Sequence, residues 1–262
     1  MEPRKTFPTP YPDVNAVLQE LRAGLRSLLG KKLAGLYLYG SLAAGDFDPQ
    51  TSDIDFTAVT AGPVSADELA GLRTLHERLS AGPSKWGAEL EGYYLPRGDL
   101  RRYDPAQPPC PHIERGGKLV VEPQDSDGTI QRHILREQGI VLAGPPPASL
   151  IDPVSPADLR WAVRTLFRNW WVPMVQDPIR LYHPGYHAYA VLTMCRMRYT
   201  IEHGTIVSKP AAAREALATW AARWAPLIER ALAWQMRVED VDETRALIEE
   251  TAAALREAEE GI

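Results

Sequence analysis

Two aspartates at the start of an apolar segment carry the clearest chemical signal. Asp53 and Asp55 are separated by one residue, and residues 54–59 have the composition of a buried strand. Because side chains alternate between the faces of a strand, both carboxylates are expected on one face, with Ile54 and Phe56 on the other. Two carboxylates at that separation suit Mg²⁺, which takes one or two carboxylates together with phosphate oxygens and waters.

A glycine and a serine lie before the two aspartates and are separated from them by a polar loop. Gly40 and Ser41 end the apolar segment 33–39, and eleven residues separate Ser41 from Asp53. Glycine lets a backbone approach a ligand closely, and serine adds a hydroxyl and an N–H, so a turn here can hold phosphate oxygens. These residues predict a nucleoside triphosphate cradle beside a Mg²⁺ site, where the metal would bridge the phosphates and offset the charge that develops during transfer.

A solvated strand end explains a lone Asp-x-Asp pair better than a metal site does, and the order of the surrounding features reverses that judgement. A strand, Gly40-Ser41, a polar loop and a strand that opens with Asp53-Ile54-Asp55 resemble the signature of the nucleotidyltransferase superfamily that includes DNA polymerase beta. The resemblance implies nucleotidyl transfer with Mg²⁺, in which Asp53 and Asp55 are catalytic metal ligands. It also implies that ATP is the co-substrate.

That superfamily uses a third carboxylate from a later strand, and two glutamates qualify. Glu89 and Glu91 lie in the strand-like segment 89–95 and share a face by alternation. Glu91 with the following Gly-Tyr-Tyr-Leu is most similar to the third-carboxylate strand of the aminoglycoside adenylyltransferases that modify streptomycin or spectinomycin, where this glutamate serves as base. We therefore choose Glu91 as the catalytic base and third metal ligand. Glu89 remains the alternative, and a charge that protects a strand edge is the alternative without a function.

The resemblance to these adenylyltransferases continues in the second half of the chain. Residues 192–196 are similar to a helix whose arginine contacts the nucleotide, and residues 204–209 are similar to the following turn, whose lysine does likewise. Arg196 and Lys209 are therefore the candidate nucleotide-binding cations. Chemistry agrees, because a triphosphate held by acidic residues and one metal needs cations on its far side. A helix-surface ion pair for Arg196 and a solvated loop charge for Lys209 are the alternatives.

The segment that would hold the acceptor departs from the family pattern. In the drug-modifying relatives, acidic side chains of the helical domain hold the cationic antibiotic, whereas residues 181–189 here contain aromatics and histidines. Burying ammonium groups without acidic partners is costly. The predicted acceptor is a hydroxyl of an aminoglycoside-type antibiotic; another small molecule, a protein hydroxyl, or a regulatory protein that binds nucleotide without turnover are the alternatives. The side chains concerned, which core packing also explains, are Tyr182, His183, Tyr186, His187 and Tyr189.

Composition argues against nucleic acid and membrane partners. The 262 residues carry a formal net charge of -5, which gives no broad positive field for a polyanion. Residues 1–5 are not followed by an apolar leader, and no apolar stretch of about 18 residues occurs, so a cytoplasmic protein is predicted. Cys110 and Cys195 lie too far apart to suggest a disulfide framework, and the oligomeric state is not readable from these patterns.

The elements that must position these residues follow from hydrophobic spacing and turn signals. Ser65 and Glu68 form a capping-box pattern that opens one helix. In the first half, helices are predicted at 13–29, 65–79 and 130–138, strands at 33–39, 54–59, 89–95 and 118–121, and a proline-rich loop at 101–111.

A Gly-Pro-Pro-Pro sequence at 144–147 cannot continue a helix or a central strand, which predicts a domain boundary there. Beyond it, the spacing predicts helices at 159–170, 186–201, 210–232 and 241–258. The predicted fold is therefore α+β. An N-terminal nucleotidyltransferase mixed-sheet domain, residues 1–147, is followed by a C-terminal α-helical bundle domain, residues 148–262, which is expected to close over the nucleotide.

Overall fold

The structure, a computed structural model, describes residues 8–124 and 126–260, with side chains through residue 256. The prediction that no apolar leader is present was based on the charged segment 1–5, which lies outside the described residues. The chain divides into two compact units, Met1–Pro153 and Val154–Ile262. A mixed sheet with helices makes up the first unit and helices alone the second, which confirms the predicted fold class.

The first unit is built on a six-stranded sheet. Its strands are β1 (Leu33–Leu38), β2 (Ile54–Thr60), β3 (Leu90–Pro96), β4 (Cys110–Glu114), β5 (Lys118–Glu122) and β6 (Ile140–Ala143). They are arranged in the order β5-β4-β3-β2-β1-β6. The β2 and β3 strands are parallel, and the other neighbouring pairs are antiparallel. The parallel pair brings the first residues of β2 and β3 to the same edge of the sheet.

Two helices cover one face of this sheet. The helices of the first unit are α1 (Pro12–Leu29), α2 (Gly40–Ala44), α3 (Ala66–Ser80), α4 (Arg97–Leu100) and α5 (Gly128–Gln138). Leucines at helical spacing on α1 and α3 pack against Ile54 and Phe56 in a buried core. The predicted capping box is present, because the Glu68 N–H donates to the Ser65 hydroxyl and the Ser65 N–H donates to the Glu68 carboxylate.

The opposite face carries a second, smaller core. Tyr37, Val59 and Tyr93 pack there against Leu135 of α5. Since Ile54 and Phe56 point into the first core, the intervening Asp55 points to this second face, as alternation predicted. The acidic residues therefore extend the face that α5 covers.

Two strands of the structure were not predicted from the sequence. The β4 strand overlaps the end of the predicted loop 101–111, and β6 follows α5 directly. Pro111 conceals β4, since proline lacks the N–H that a central strand donates. The structure resolves this difficulty, because β3 pairs with β4 at Ile113 and His112, and Pro111 pairs with β5 alone.

The second unit is a bundle of α-helices around α8. Its helices are α6 (Pro156–Leu166), α7 (Val172–Gln176), α8 (Pro184–His203), α9 (Lys209–Thr219), α10 (Ala225–Leu232) and α11 (Val241–Glu260), and a π-helical segment, Phe167–Trp171, joins α6 to α7. The single helix predicted at 210–232 is wrong, because α9 and α10 are separate. Pro226 explains the break, since proline is tolerated in the first turn of a helix and not in its interior. None of the helices in the described part of the chain combines the length and apolarity needed to span a membrane.

A buried histidine in the first core predicts acid sensitivity. His76 has no solvent exposure, and its Nε2 lies 2.6 Å from the Tyr94 hydroxyl. Burial lowers the pKa of His76 to about 4. The unfolded chain binds this proton near pH 6.5, so the free energy of unfolding should fall by about 3 kcal/mol as the pH falls from 6.5 to 4.

Urea unfolding at pH 7 and pH 4.5 measures this loss. His76→Phe should be less stable than the wild type at pH 7, because the Tyr94 hydroxyl loses its partner, but its stability should change less between the two pH values. An equal pH dependence in the two proteins would show that other groups cause the loss.

Candidate active site

Three predicted acidic residues meet at the edge where β2 and β3 begin. Asp55 is paired with Glu91 in the parallel register, so their side chains lie next to each other on one face. Asp53 precedes Asp55 by two residues and shares that face by alternation. All three side chains are partly exposed, so the cluster is accessible from solvent.

The electrostatic environment of Glu91 is that of a shielded carboxylate near other acids. Burial raises the pKa of Glu91, and the negative charge of Asp53 raises it further. Asp127 acts in the same direction, whereas His112 and Arg115 lower this pKa. Glu91 therefore holds a proton more readily than an ordinary glutamate, which is a property of groups that exchange protons with a substrate.

Glu89, the alternative third carboxylate, is engaged elsewhere. Its side chain forms an ion pair with Arg115 on the turn between β4 and β5. Its backbone oxygen accepts a hydrogen bond of 2.8 Å from the Ile54 N–H. Of the two glutamates, Glu91 is thus the one in register with Asp55.

The predicted cradle lies directly against Asp55. Gly40 has a positive φ of 64°, and a Cβ at this position would collide with Oδ2 of Asp55. The Tyr39 N–H donates to the Asp55 carbonyl at 3.1 Å, which fixes the backbone next to the acid. The Ser41 hydroxyl is buried and has no hydrogen-bond partner among the described residues. A buried hydroxyl without a hydrogen-bond partner costs about 1–3 kcal/mol. A hydrogen bond to a ligand oxygen would offset that cost.

The close approach of Gly40 to Asp55 predicts the effect of one methyl group. Gly40→Ala should lower kcat about 100-fold, because the new Cβ displaces the Asp55 carboxylate. Gly45→Ala is the matched control, since Gly45 also has a positive φ, of 77°, but a Cβ there meets no atom within 4 Å. Steady-state kinetics and thermal unfolding of both variants check this. Equal losses of activity would attribute the effect to backbone strain alone.

Three residues near the acidic cluster were not predicted from the sequence to belong to the site. Tyr39 is buried, and its pKa is raised well above the usual value first by burial and then by Asp55, Asp127 and Glu91. Asp127 precedes α5, and its carboxylate accepts a 2.9 Å hydrogen bond from the Gln131 amide. An aspartate before a helix is ordinarily a cap, so the residue type at this position does not by itself indicate a functional role. The third, His112, lies on β4, the strand that was not predicted.

The donor set fits a hard divalent cation. Asp53, Asp55 and Glu91 offer carboxylate oxygens on one face of the sheet. Oxygen donors of this kind suit Mg²⁺ and not the metals that prefer thiolate or imidazole. Both cysteines are buried and unlinked.

The two predicted cations lie in the second unit. Arg196 is on α8 and makes no ion pair with any residue that the structure describes, so the surface ion pair proposed as its alternative is not found. Lys209 begins α9, and its Nζ lies 4.3 Å from the centroid of the Tyr189 ring. This cation–π contact fixes the ammonium group on an aromatic surface.

Aromatic side chains around Tyr189 form a partly exposed cluster. Trp170 is 37% exposed, and its Nε1 donates to the Tyr186 hydroxyl at 2.8 Å. The Tyr186 and Tyr189 rings are 5.5 Å apart, and the Arg180 guanidinium lies 4.7 Å from the Trp170 ring. Core packing alone therefore does not account for these rings. Tyr182, at the preceding turn, is 53% exposed.

The two histidines of this segment have different surroundings. His187 is buried, with Nε2 2.5 Å from the Thr244 hydroxyl. His183 is exposed, and its Nδ1 accepts a 3.4 Å hydrogen bond from the Tyr186 N–H. The first side chain is part of the bundle core and the second caps α8.

Comparisons with known proteins match both units. The family model described as "Nucleotidyltransferase domain" matches residues 18–84, and the one described as "Aminoglycoside adenylyltransferase, C-terminal domain" matches residues 149–258. Among solved structures, the chain is similar to the spectinomycin adenyltransferase of Enterococcus faecialis, which was determined with ATP and spectinomycin. The TM-score is 0.69 at 17% identity, and the match covers 92% of this chain and 98% of that one.

Proposed function

Because this chain belongs to the aminoglycoside adenylyltransferase-like nucleotidyltransferases, we propose that it transfers AMP from ATP to a hydroxyl of an aminoglycoside-type antibiotic. The observation that carries the proposal is the register of Asp55 with Glu91. Gly40 lacks a Cβ and therefore packs directly against Asp55. This arrangement combines an acidic pair, a candidate base and a backbone that approaches them closely. ATP and spectinomycin occur together in the related solved structure, which supports the donor and the class of acceptor.

The proposed mechanism assigns one task to each group. Glu91 accepts the proton of the acceptor hydroxyl, and its raised pKa favours this transfer. The hydroxyl oxygen forms a bond to the α-phosphorus in line with the leaving group. The bond between the α-phosphorus and the oxygen that bridges to the β-phosphorus breaks, and pyrophosphate leaves with that electron pair. Arg196 and Lys209 bind phosphate oxygens as charged hydrogen-bond donors.

Magnesium is proposed as the cofactor. Asp53, Asp55 and Glu91 would hold it, because they are the hard oxygen donors of this face. When bound, Mg²⁺ supplies charge compensation for the phosphates during transfer. The hydroxyl and the backbone of Ser41 would bind phosphate oxygens at the cradle.

Pyrophosphate release from ATP and Mg²⁺ tests the function directly. The assay is run with spectinomycin, with streptomycin and with neither drug, on the wild type, on Asp53→Ala and on Asp67→Ala. Asp67 is an exposed acid in the first turn of α3 and serves as the matched control. Release that depends on a drug and on Asp53, and not on Asp67, would support the proposal. ATP binding without drug-dependent release would contradict it.

A second candidate acceptor is a small molecule with fewer positive charges. Arg180 already lies on two rings of the aromatic cluster, those of Trp170 and Tyr186. This cation repels a polycation, whereas the rings can stack on a sugar or an aromatic compound. Drug-independent turnover with such a compound would favour this candidate over an aminoglycoside.

A further inference from the structure

A histidine on β4 lies beside the candidate base. His112 is paired with Tyr93 across β3 and β4, and the two rings stack with centroids 4.2 Å apart and an interplanar angle of 9°. Tyr93 follows Glu91 by two residues on the same strand, so their side chains share a face. His112 therefore lies on the face of the acidic residues, two residue positions along the strands from Glu91.

The two ring nitrogens of His112 have different environments. Nδ1 lies 2.9 Å from a carboxylate oxygen of Glu122, whereas Nε2 is buried and has no hydrogen-bond partner among the residues that the structure describes. A carboxylate at Nδ1 favours the tautomer with its proton on that nitrogen. In the neutral ring, Nε2 is then a hydrogen-bond acceptor with nothing to accept from.

A purely structural role explains this arrangement less well than a ligand does. His112 is 7% exposed, and a buried ring nitrogen without a hydrogen-bond partner costs about 1–3 kcal/mol. His76 also has a buried nitrogen without a partner, but it lies in the core on the other face of the sheet, beside Phe56 and Tyr94. Of these two nitrogens, that of His112 belongs to a residue on the face of Glu91.

We propose that Nε2 of His112 accepts a hydrogen bond from the acceptor, so that His112 and Glu91 engage the same molecule. This inference rests on the proposed function. Glu91 takes the proton of the modified hydroxyl, and His112 binds a second hydroxyl or ammonium group. The acceptor then carries a second hydrogen-bond donor besides the modified hydroxyl. An acceptor with a single hydroxyl would leave Nε2 of His112 without a hydrogen-bond partner.

Substitutions at His112 separate ligand binding from packing. His112→Phe keeps an aromatic ring to stack on Tyr93 but removes Nε2, and it should raise the KM for spectinomycin about 10-fold or more while leaving the KM for ATP unchanged. His112→Gln returns an acceptor oxygen and should recover part of the loss. His76→Phe is the matched control, since it removes a buried imidazole from the other face; its thermal stability should fall while the KM for spectinomycin stays the same.

The outcomes distinguish this inference from the proposed function. If the wild type releases pyrophosphate with spectinomycin and both His112 variants keep its KM, the role of His112 is wrong and the function stands. Equal rises in the KM for ATP and for spectinomycin would also overturn it, because they indicate a structural defect. If the wild type shows no drug-dependent release at all, the proposed function fails and the role of His112 fails with it.

Discussion

Glu91→Gln is expected to lower adenylyl transfer by about 10²- to 10⁴-fold while ATP binding is retained. The amide has the shape of the carboxylate but cannot accept the proton of the acceptor hydroxyl. Because Glu91 lies in register with Asp55 and is partly exposed, the substitution disturbs little packing. Single-turnover kinetics with spectinomycin and titration of ATP by calorimetry measure the two effects separately. Turnover at more than a tenth of the wild-type rate would remove Glu91 from the proton transfer.

The same residue predicts a pH dependence whose direction is fixed by the raised pKa. A base must be deprotonated to act, so kcat should fall as the pH falls through the pKa of Glu91. Burial and the charge of Asp53 raise this pKa, so the loss of activity should lie at a higher pH than for a solvent-exposed glutamate that binds the same Mg²⁺. Glu89→Gln is the matched control, since Glu89 pairs with Arg115 and should leave the acid limb in place. An unchanged limb in Glu91→Gln would assign it to another group.

Local patterns predicted most of the acidic site because its geometry is local. Alternation along one strand places Asp53 and Asp55 on a face without any knowledge of the neighbouring strands. The choice between Glu89 and Glu91 depended on resemblance, and the ion pair of Glu89 with Arg115 depends on the turn between β4 and β5. Alternation alone could not separate the two glutamates.

Residues that reach the site through tertiary pairing were not predictable in this way. His112 faces Tyr93 only because β4 pairs with β3, and the proline-rich composition before and within β4 conceals that strand. Asp127 lies at the start of α5, where an aspartate is expected for capping in any case. Its influence on Glu91 depends on how α5 packs on the sheet. The single helix predicted at 210–232 was wrong for a local reason, since Pro226 cannot lie in the interior of one continuous helix.

Asp55→Asn is expected to lower kcat by about 10³-fold, because it removes one charged oxygen ligand from the acidic pair and leaves the phosphates less well compensated. The amide has nearly the volume of the carboxylate, so the contact with Gly40 is kept and the fold should be preserved. Binding of Mn²⁺, followed by electron paramagnetic resonance without ATP, gives a readout that is independent of turnover, and Asp55→Asn should weaken it. Asp67→Asn, on α3, should match the wild type in both assays. Weak turnover with unchanged Mn²⁺ binding would mean that Asp55 orients the cradle and is not a metal ligand.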